Sequence, residues 1–395
     1  MELRLARRMN SVKSSEIREL LKLTERPEVI SFAGGLPAPE MFPLEEIKRV
    51  SRMVLEEEGA RALQYSPTEG YAPLRQWIAE RLNKKQGLKL DADNVLITSG
   101  SQQALDLSGK LFLDEDDIVA CESPTYLAAI TAFRAYGCAF AEIPTDNEGM
   151  LPEALEQVLA SSERIKLIYA IPDFQNPSGR CWSMERRKAL AALAQRHGVP
   201  VLEDNPYGEL RFEGEELPSL ISMDREGCIL NTGTFSKIFC PGYRVGWIAG
   251  PKDLIRQYVI VKQGTDLQSN TLAQMELYKY LELYDIDEHI EKMRAVYKRR
   301  CDLMLEGMAS EFPSSVHFTR PQGGLFAWVE MPEEVNAREL LERCLKEDVA
   351  FVPGGAFFPN SCKENTFRIN FSNMPEERIT EGVKRLGKAM RSMVA

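Results

Sequence analysis

The sequence predicts an α/β protein, with a large domain built on a mostly parallel central sheet and a smaller C-terminal α+β domain after it. Three observations carry this prediction. A chain of 395 residues, 44% of them hydrophobic, can bury a large core and exceeds the length of one average domain. From about Asp93 to Gly250, short apolar runs alternate with amphipathic helical stretches, which is the rhythm of strand–helix–strand units. Beyond about Met308 the pattern turns to short strands and two further helices.

Taken in order, the first fifty residues include Phe32-Ala33-Gly34-Gly35-Leu36-Pro37, whose glycines and proline predict a loop suited to lining a pocket. The strands of the large sheet are expected at Val95-Leu96-Ile97, Ile118-Val119-Ala120, Leu167-Ile168-Tyr169, Val201-Leu202, Ile229-Leu230 and Val245-Gly246-Trp247-Ile248. The longest helical pattern, from Lys252 with interruptions to Met308, reads as a spine between two domains. In the C-terminal part, strands are expected at Val316-His317-Phe318, Leu325 to Val329 and Phe367 to Phe371, with a helix near 336–347 and another at the end.

Composition narrows the function. The formal net charge of -10 leaves no global positive field to gather nucleic acid or an anionic membrane. No stretch approaches the roughly 18 apolar residues of a membrane span, and the charged N-terminus lacks the apolar run of a secretory signal. The eight cysteines form no CxxC pair, so neither a metal site nor a disulfide framework is expected, and a reducing cytoplasm is the simplest home.

Four motifs fall at or just beyond strand ends, where open α/β sheets bind ligands. Gly233-Thr234-Phe235-Ser236-Lys237 follows an apolar strand, and Arg244 comes seven residues after the lysine. Held out of bulk water beside cations, such a lysine loses basicity and becomes able to attack an aldehyde. Leu202-Glu203-Asp204-Asn205-Pro206-Tyr207 ends a strand on an acid, with a tyrosine three positions later. Asn176-Pro177-Ser178-Gly179 follows the run Leu167 to Ile171. Ser99-Gly100-Ser101-Gln102 opens an amphipathic helix, whose first N–H groups and dipole suit a phosphate. Each alone is an ordinary turn or cap; a dinucleotide site is not expected, because the GxGxxG fingerprint is missing.

Together these segments resemble fold-type I, class I/II aminotransferases, and the resemblance covers nearly the whole chain. It implies the aspartate-aminotransferase-like fold, with an N-terminal segment at 1–50, a large domain binding pyridoxal 5'-phosphate (PLP) at 51–289 and a small domain at 290–395. It makes Lys237 the catalytic lysine that carries the cofactor and later moves the substrate proton. Asp204 is implied to face the pyridine nitrogen, Tyr207 and Asn176 the 3′-oxygen, and Tyr126 the face of the ring. Ser101, Gln102, Thr234, Ser236 and Arg244 are implied to hold the phosphate, joined across a homodimer interface by Tyr65 of the neighbouring subunit. Gly35, Asn176 and Arg368 are implied to meet the substrate. From the residues alone, Arg368 in Phe367-Arg368-Ile369-Asn370-Phe371 is either a solvated strand residue or a carboxylate clamp.

Within the family, Gly34-Gly35-Leu36-Pro37, Gln64-Tyr65-Ser66-Pro67 and Gly100-Ser101-Gln102-Gln103 look most like the α-aminoadipate/kynurenine aminotransferase branch. That implies transfer of an amino group from an aromatic, aliphatic or dicarboxylic amino acid to a 2-oxo acid such as 2-oxoglutarate, with the segment around residues 10–40 helping to set specificity. A lyase, decarboxylase or racemase on the same fold is the alternative within the cofactor class. A ligand-sensing regulator is the alternative outside it, and the expectation against it is that no winged-helix module fits before Ile30.

Overall fold

In the computed structural model, residues 5–10 and 26–393 are described. Residues 11–25 of the segment expected to set specificity lie outside them. The chain enters through β1 (Ile30–Ser31), the loop at Phe32–Pro37, and helices α1 (Leu44–Ala62) and α2 (Ala72–Gln86). The large-sheet region then runs β2 (Val95–Thr98), α3 (Ser101–Phe112), β3 (Ile118–Ser123), α4 (Leu127–Arg134), β4 (Ala139–Asp146), β5 (Gly149–Met150), α5 (Pro152–Ser161), β6 (Ile165–Ala170), α6 (Met184–His197), β7 (Val201–Asp204), β8 (Ile229–Thr234) and β9 (Gly246–Ala249). Helices α7 (Lys252–Gln263), α8 (Thr271–Leu283) and α9 (Ile286–Glu311) follow, the last being the longest described. The C-terminal part holds β10 (His317–Phe318), β11 (Phe326–Glu330), α10 (Ala337–Lys346), β12 (Val349–Ala350), β13 (Val352–Pro353), β14 (Thr366–Asn370) and α11 (Glu376–Arg391).

The large sheet has the order β2-β9-β8-β7-β6-β3-β4-β5. Only β9 and β5 run against their neighbours, so the sheet is mostly parallel, as expected. Strand alternation splits its side chains between two apolar layers. On β6, Leu167 and Tyr169 join Phe133 of α4 and Tyr258 of α7, whereas Ile168 and Ala170 join Leu155 of α5 and Leu190 of α6. Each large side chain buried this way contributes about 1.5–3 kcal/mol. The helices end where the sequence supplies the stops: Gly198 after α6 takes the left-handed conformation, and at the start Ser183 Oγ accepts from Arg186 N–H.

The smaller sheet is antiparallel, in the order β10-β11-β14-β13, and β1 pairs with β12 in parallel. That pairing returns the N-terminal segment to the C-terminal part, so that the Phe32–Pro37 loop lies over the strand ends of the large sheet. Asn370 N–H donates to Phe32 O and Ser372 Oγ to Leu36 O, fixing the loop from the β14 side.

Every strand expected in the large region exists, but the sequence reading missed β4 and β5. In the C-terminal part it missed the short strands β12 and β13.

Candidate active site

The carboxyl ends of the parallel strands converge on one cavity. Its wall includes Gly35, Ser101, Gln102, Tyr126, Asn176, Asp204, Tyr207, Thr234, Ser236, Lys237, Arg244 and Arg368. Every site residue expected from the sequence is therefore brought together, with one exception. Tyr65 does not line this cavity and is 80% exposed.

β8 ends at Thr234, and the chain turns so that Lys237 projects into the cavity, its Nζ donating to Gly35 O at 2.7 Å. Burial pushes the ammonium down to about 8, helped by the positive charges of Arg368 and Arg244. Thr234 Oγ1 donates to Ser236 Oγ at 2.9 Å, which fixes the turn before the lysine.

β7 ends at Asp204, which is 1% exposed. Its Oδ2 accepts from the Tyr169 hydroxyl at 2.8 Å, while Oδ1 is buried with no partner. Burial raises this carboxyl to about 7, against the lowering effect of the Tyr169 hydrogen bond. A buried carboxylate oxygen left open in this way awaits a donor from a ligand.

The segment after β6 carries Asn176 to the centre of a hydrogen-bonded chain. Arg368 Nη1 donates to Asn176 Oδ1 at 2.8 Å, and the Asn176 side chain is hydrogen-bonded to the Tyr207 hydroxyl. Arg368 sits on β14 opposite Trp328, and its Nη2 donates to Ala33 O at 2.7 Å. Its guanidinium lies 4.1 Å from the ring centre of Phe326 and 5.2 Å from that of Phe357. The residue is 3% exposed and Nε has no partner, so the solvated-strand alternative is excluded. Phe367, Ile369 and Phe371 enter the apolar core while Arg368 lines the cavity, so both faces of β14 are buried. Burial lowers the guanidinium to about 10, an unusual depression that marks a cation kept dry without a carboxylate.

At the other end of the cavity, α3 begins at Ser101 after Gly100, whose φ is +72°. The helix start abuts β9 so closely that a Cβ on Gly246 would lie 2.9 Å from Ser101 N. Arg244, itself left-handed at φ 54°, donates through Nη2 to Ser99 O at 3.2 Å and through Nη1 to Ser236 Oγ at 3.3 Å. Open helix N–H groups, two hydroxyls and a guanidinium make an anion cup.

Phe326, Ile171, Pro206 and Pro241 also line the cavity and were not foreseen. Tyr169 was read only as a strand residue. Nothing in its apolar surroundings signals that its hydroxyl reaches the Asp204 carboxylate. Among the described residues no cluster fit for a metal is present, and all eight cysteines are free. No helix among the described residues is long and apolar enough to cross a membrane.

Comparison with known proteins follows the same line. Residues 29–386 match the family "Aminotransferase class I and II". The chain is 45% identical to the aromatic-amino-acid aminotransferase 1 of Thermococcus litoralis, covering 96% of this chain and 92% of that one. It is also 45% identical to the 2-aminoadipate transaminase of Thermus thermophilus, over 97% and 96% of the two chains. A solved kynurenine aminotransferase from Pyrococcus horikoshii, in complex with PMP, KYN as substrate and KYA as product, superposes with a TM-score of 0.95 at 42% identity, covering 99% of this chain and 98% of that one. With this match over almost its full length and with the aspartate-aminotransferase-like architecture described above, the chain belongs to the class I and II aminotransferases, PLP-dependent enzymes of amino-group transfer.

Proposed function

We propose that this enzyme moves the amino group of an aromatic, branched or aliphatic, or 2-aminoadipate-like amino acid to a 2-oxo acid such as 2-oxoglutarate, by a ping-pong cycle. The observation that carries the reading is the convergence of Lys237, Asp204, Asn176 and Arg368 on one cavity. The substrate range is supported by the names of the relatives, which act on aromatic amino acids, on 2-aminoadipate and on kynurenine.

The donor set fits PLP. The open Asp204 Oδ1 suits a protonated ring nitrogen, and the cup of Ser101, Gln102, Thr234, Ser236 and Arg244 suits a phosphate. Tyr126 supplies a ring to cover one face of the pyridine, and Tyr207 with Asn176 supplies hydrogen bonds to its 3′-oxygen. When bound, the cofactor supplies an aldehyde and a ring that accepts electrons from the substrate Cα.

The chain's own part is positioning and proton transfer. Arg368 holds the substrate carboxylate with its planar fork, steadied by Asn176 and by the Phe326 ring beneath it. Gly35 meets the substrate from a loop that packs on the Phe326 ring, where a Cβ would come within 2.9 Å of Phe326 Cζ. Lys237, with its basicity lowered toward neutrality, takes the proton from Cα as a general base.

We place Tyr65 in the site of a second subunit, so that the working unit is a homodimer with shared sites. Its exposure, beside Leu63 at 72%, supports this. Eight free cysteines support a cytoplasmic location.

The test is a visible absorption spectrum of the purified protein with a panel of amino acids, each with and without 2-oxoglutarate. Transfer requires that the donor bleach the cofactor's band and the acceptor restore it. A change that no 2-oxo acid reverses would favour a lyase or decarboxylase, and a protein that takes up no PLP would refute the reading.

A further inference from the structure

Lys262, on the last turn of α7, is 0% exposed, yet it does not line the active-site cavity. Its Nζ donates to Asp266 Oδ1 at 2.7 Å and Oδ2 at 2.9 Å, to Gln103 Oε1 at 2.9 Å and to Ser269 Oγ at 3.1 Å. A fully dehydrated ammonium is unfavourable unless it is paired and hydrogen-bonded, and an apolar side chain would fill the same space without that penalty. The neighbours show what the charge organises.

Gln103 Oε1 accepts from Ser99 N–H at 2.8 Å as well as from Lys262, and Gln103 Nε2 donates to Asp266 Oδ2 at 2.6 Å. Ser269 Oγ lies 3.4 Å from Ser99 Oγ. The carbonyl of Ser99 is the acceptor for Arg244 Nη2. Ser99 is thus held at its N–H by Gln103, at its side chain by Ser269 and at its carbonyl by Arg244. The next residue is Gly100, the left-handed turn that sets where Ser101 and Gln102 point.

We infer that Lys262 is a positioning residue for the anion cup, fixing the Ser99–Gly100 turn through Gln103 and Ser269 without touching the ligand. The class of ligand group it serves is a phosphate monoester, so the inference rests on the PLP reading above. An ammonium suits this task because one atom binds acceptors from two segments, the start of α3 and the loop before α8 that carries Asp266 and Ser269.

Two ligands separate this role from a merely structural one. PLP and pyridoxal carry the same aldehyde and ring, and only PLP carries the phosphate. Apo forms of the wild type, Gln103→Leu and Lys262→Met are titrated with each ligand, followed by visible absorption. Gln103→Leu leaves the Lys262–Asp266 pair in place, so it keeps the test open if Lys262→Met does not fold. The expected result is a loss of PLP affinity of about tenfold or more, the scale on which outer partners act on bound groups, with pyridoxal affinity unchanged. Equal losses for both ligands, or no loss for either, would overturn the inference. A wild type that binds neither aldehyde would instead overturn the PLP reading itself, so the two failures are distinguishable.

Discussion

At the scale of single residues, the site works by denying water to charged groups. Lys237 is the clearest case, because burial comes first among the causes that bring its amine down to about 8, and Arg368 and Arg244 add to it. Only the neutral amine attacks an aldehyde, so the rate of PLP uptake by the apo protein should rise with pH and level off near 8. An ordinary lysine would keep the rate rising toward about 10.4. A stopped-flow pH series checks this, and a rate still climbing at pH 10 would show that the amine is not perturbed. Arg368 poses the complementary case of a buried cation with an open Nε and no carboxylate of its own. Arg368→Lys keeps the charge but loses the fork over Phe326, and truncating a buried charged contact typically costs about 2–5 kcal/mol. The expected outcome is a fall in kcat/KM of roughly 30-fold or more, dominated by KM for the amino acid. A variant with unchanged KM would remove Arg368 from carboxylate binding.

At the scale of elements, the loops after β3 and β6 must stay in register for Tyr126 and Asn176 to face the same cavity. Glu122, near the end of β3 and 1% exposed, ties them: its Oε2 accepts from Ile171 N–H at 2.9 Å and its Oε1 from the Trp182 indole at 2.9 Å. Gln175 adds a second tie, donating to Pro124 O at 2.7 Å. Burial raises the Glu122 carboxyl from 4.5 to about 8, against these hydrogen bonds. The folded protein therefore keeps a proton at Glu122 that the unfolded chain has released, and this contribution to stability declines as pH rises from 4.5 to 8. Glu122→Gln removes the titration. The stability difference between wild type and variant should then shift in favour of the variant by a few kcal/mol from pH 5 to pH 8, as read by denaturant unfolding at both values. A constant difference would mean that Glu122 does not titrate in this range. The same elements show where the sequence was legible. β6 and β7 carry the buried apolar runs Leu167 to Ala170 and Val201-Leu202, and those runs locate them. β4 has an uneven burial pattern with Pro144 near its end, and β5, β12 and β13 are two residues each, too short for any periodicity to register.

At the scale of the whole molecule, the sequence motifs located most of the cavity because each lies at or just beyond the end of a strand, and parallel strands bring their carboxyl ends together without further instruction. Contacts made across the chain were not legible in this way. Phe326 beneath Arg368, Tyr169 on Asp204 and Lys262 behind the anion cup depend on folded neighbours far off in sequence. Tyr65 extends that limit beyond one chain, since it is exposed and does not line the cavity of its own subunit. If it completes the site of a second copy, each site draws Lys237 from one subunit and Tyr65 from the other. Tyr65→Ala and Lys237→Ala homodimers should then both be impaired, the second of them inactive. A mixed dimer would contain one site with both lesions and one with neither. Co-refolding the two variants should consequently restore activity, approaching one wild-type site per mixed dimer, which tagged purification of the hybrid can isolate. A hybrid no more active than the Tyr65→Ala parent would place Tyr65 outside the partner's site and confine the catalytic constellation to a single chain.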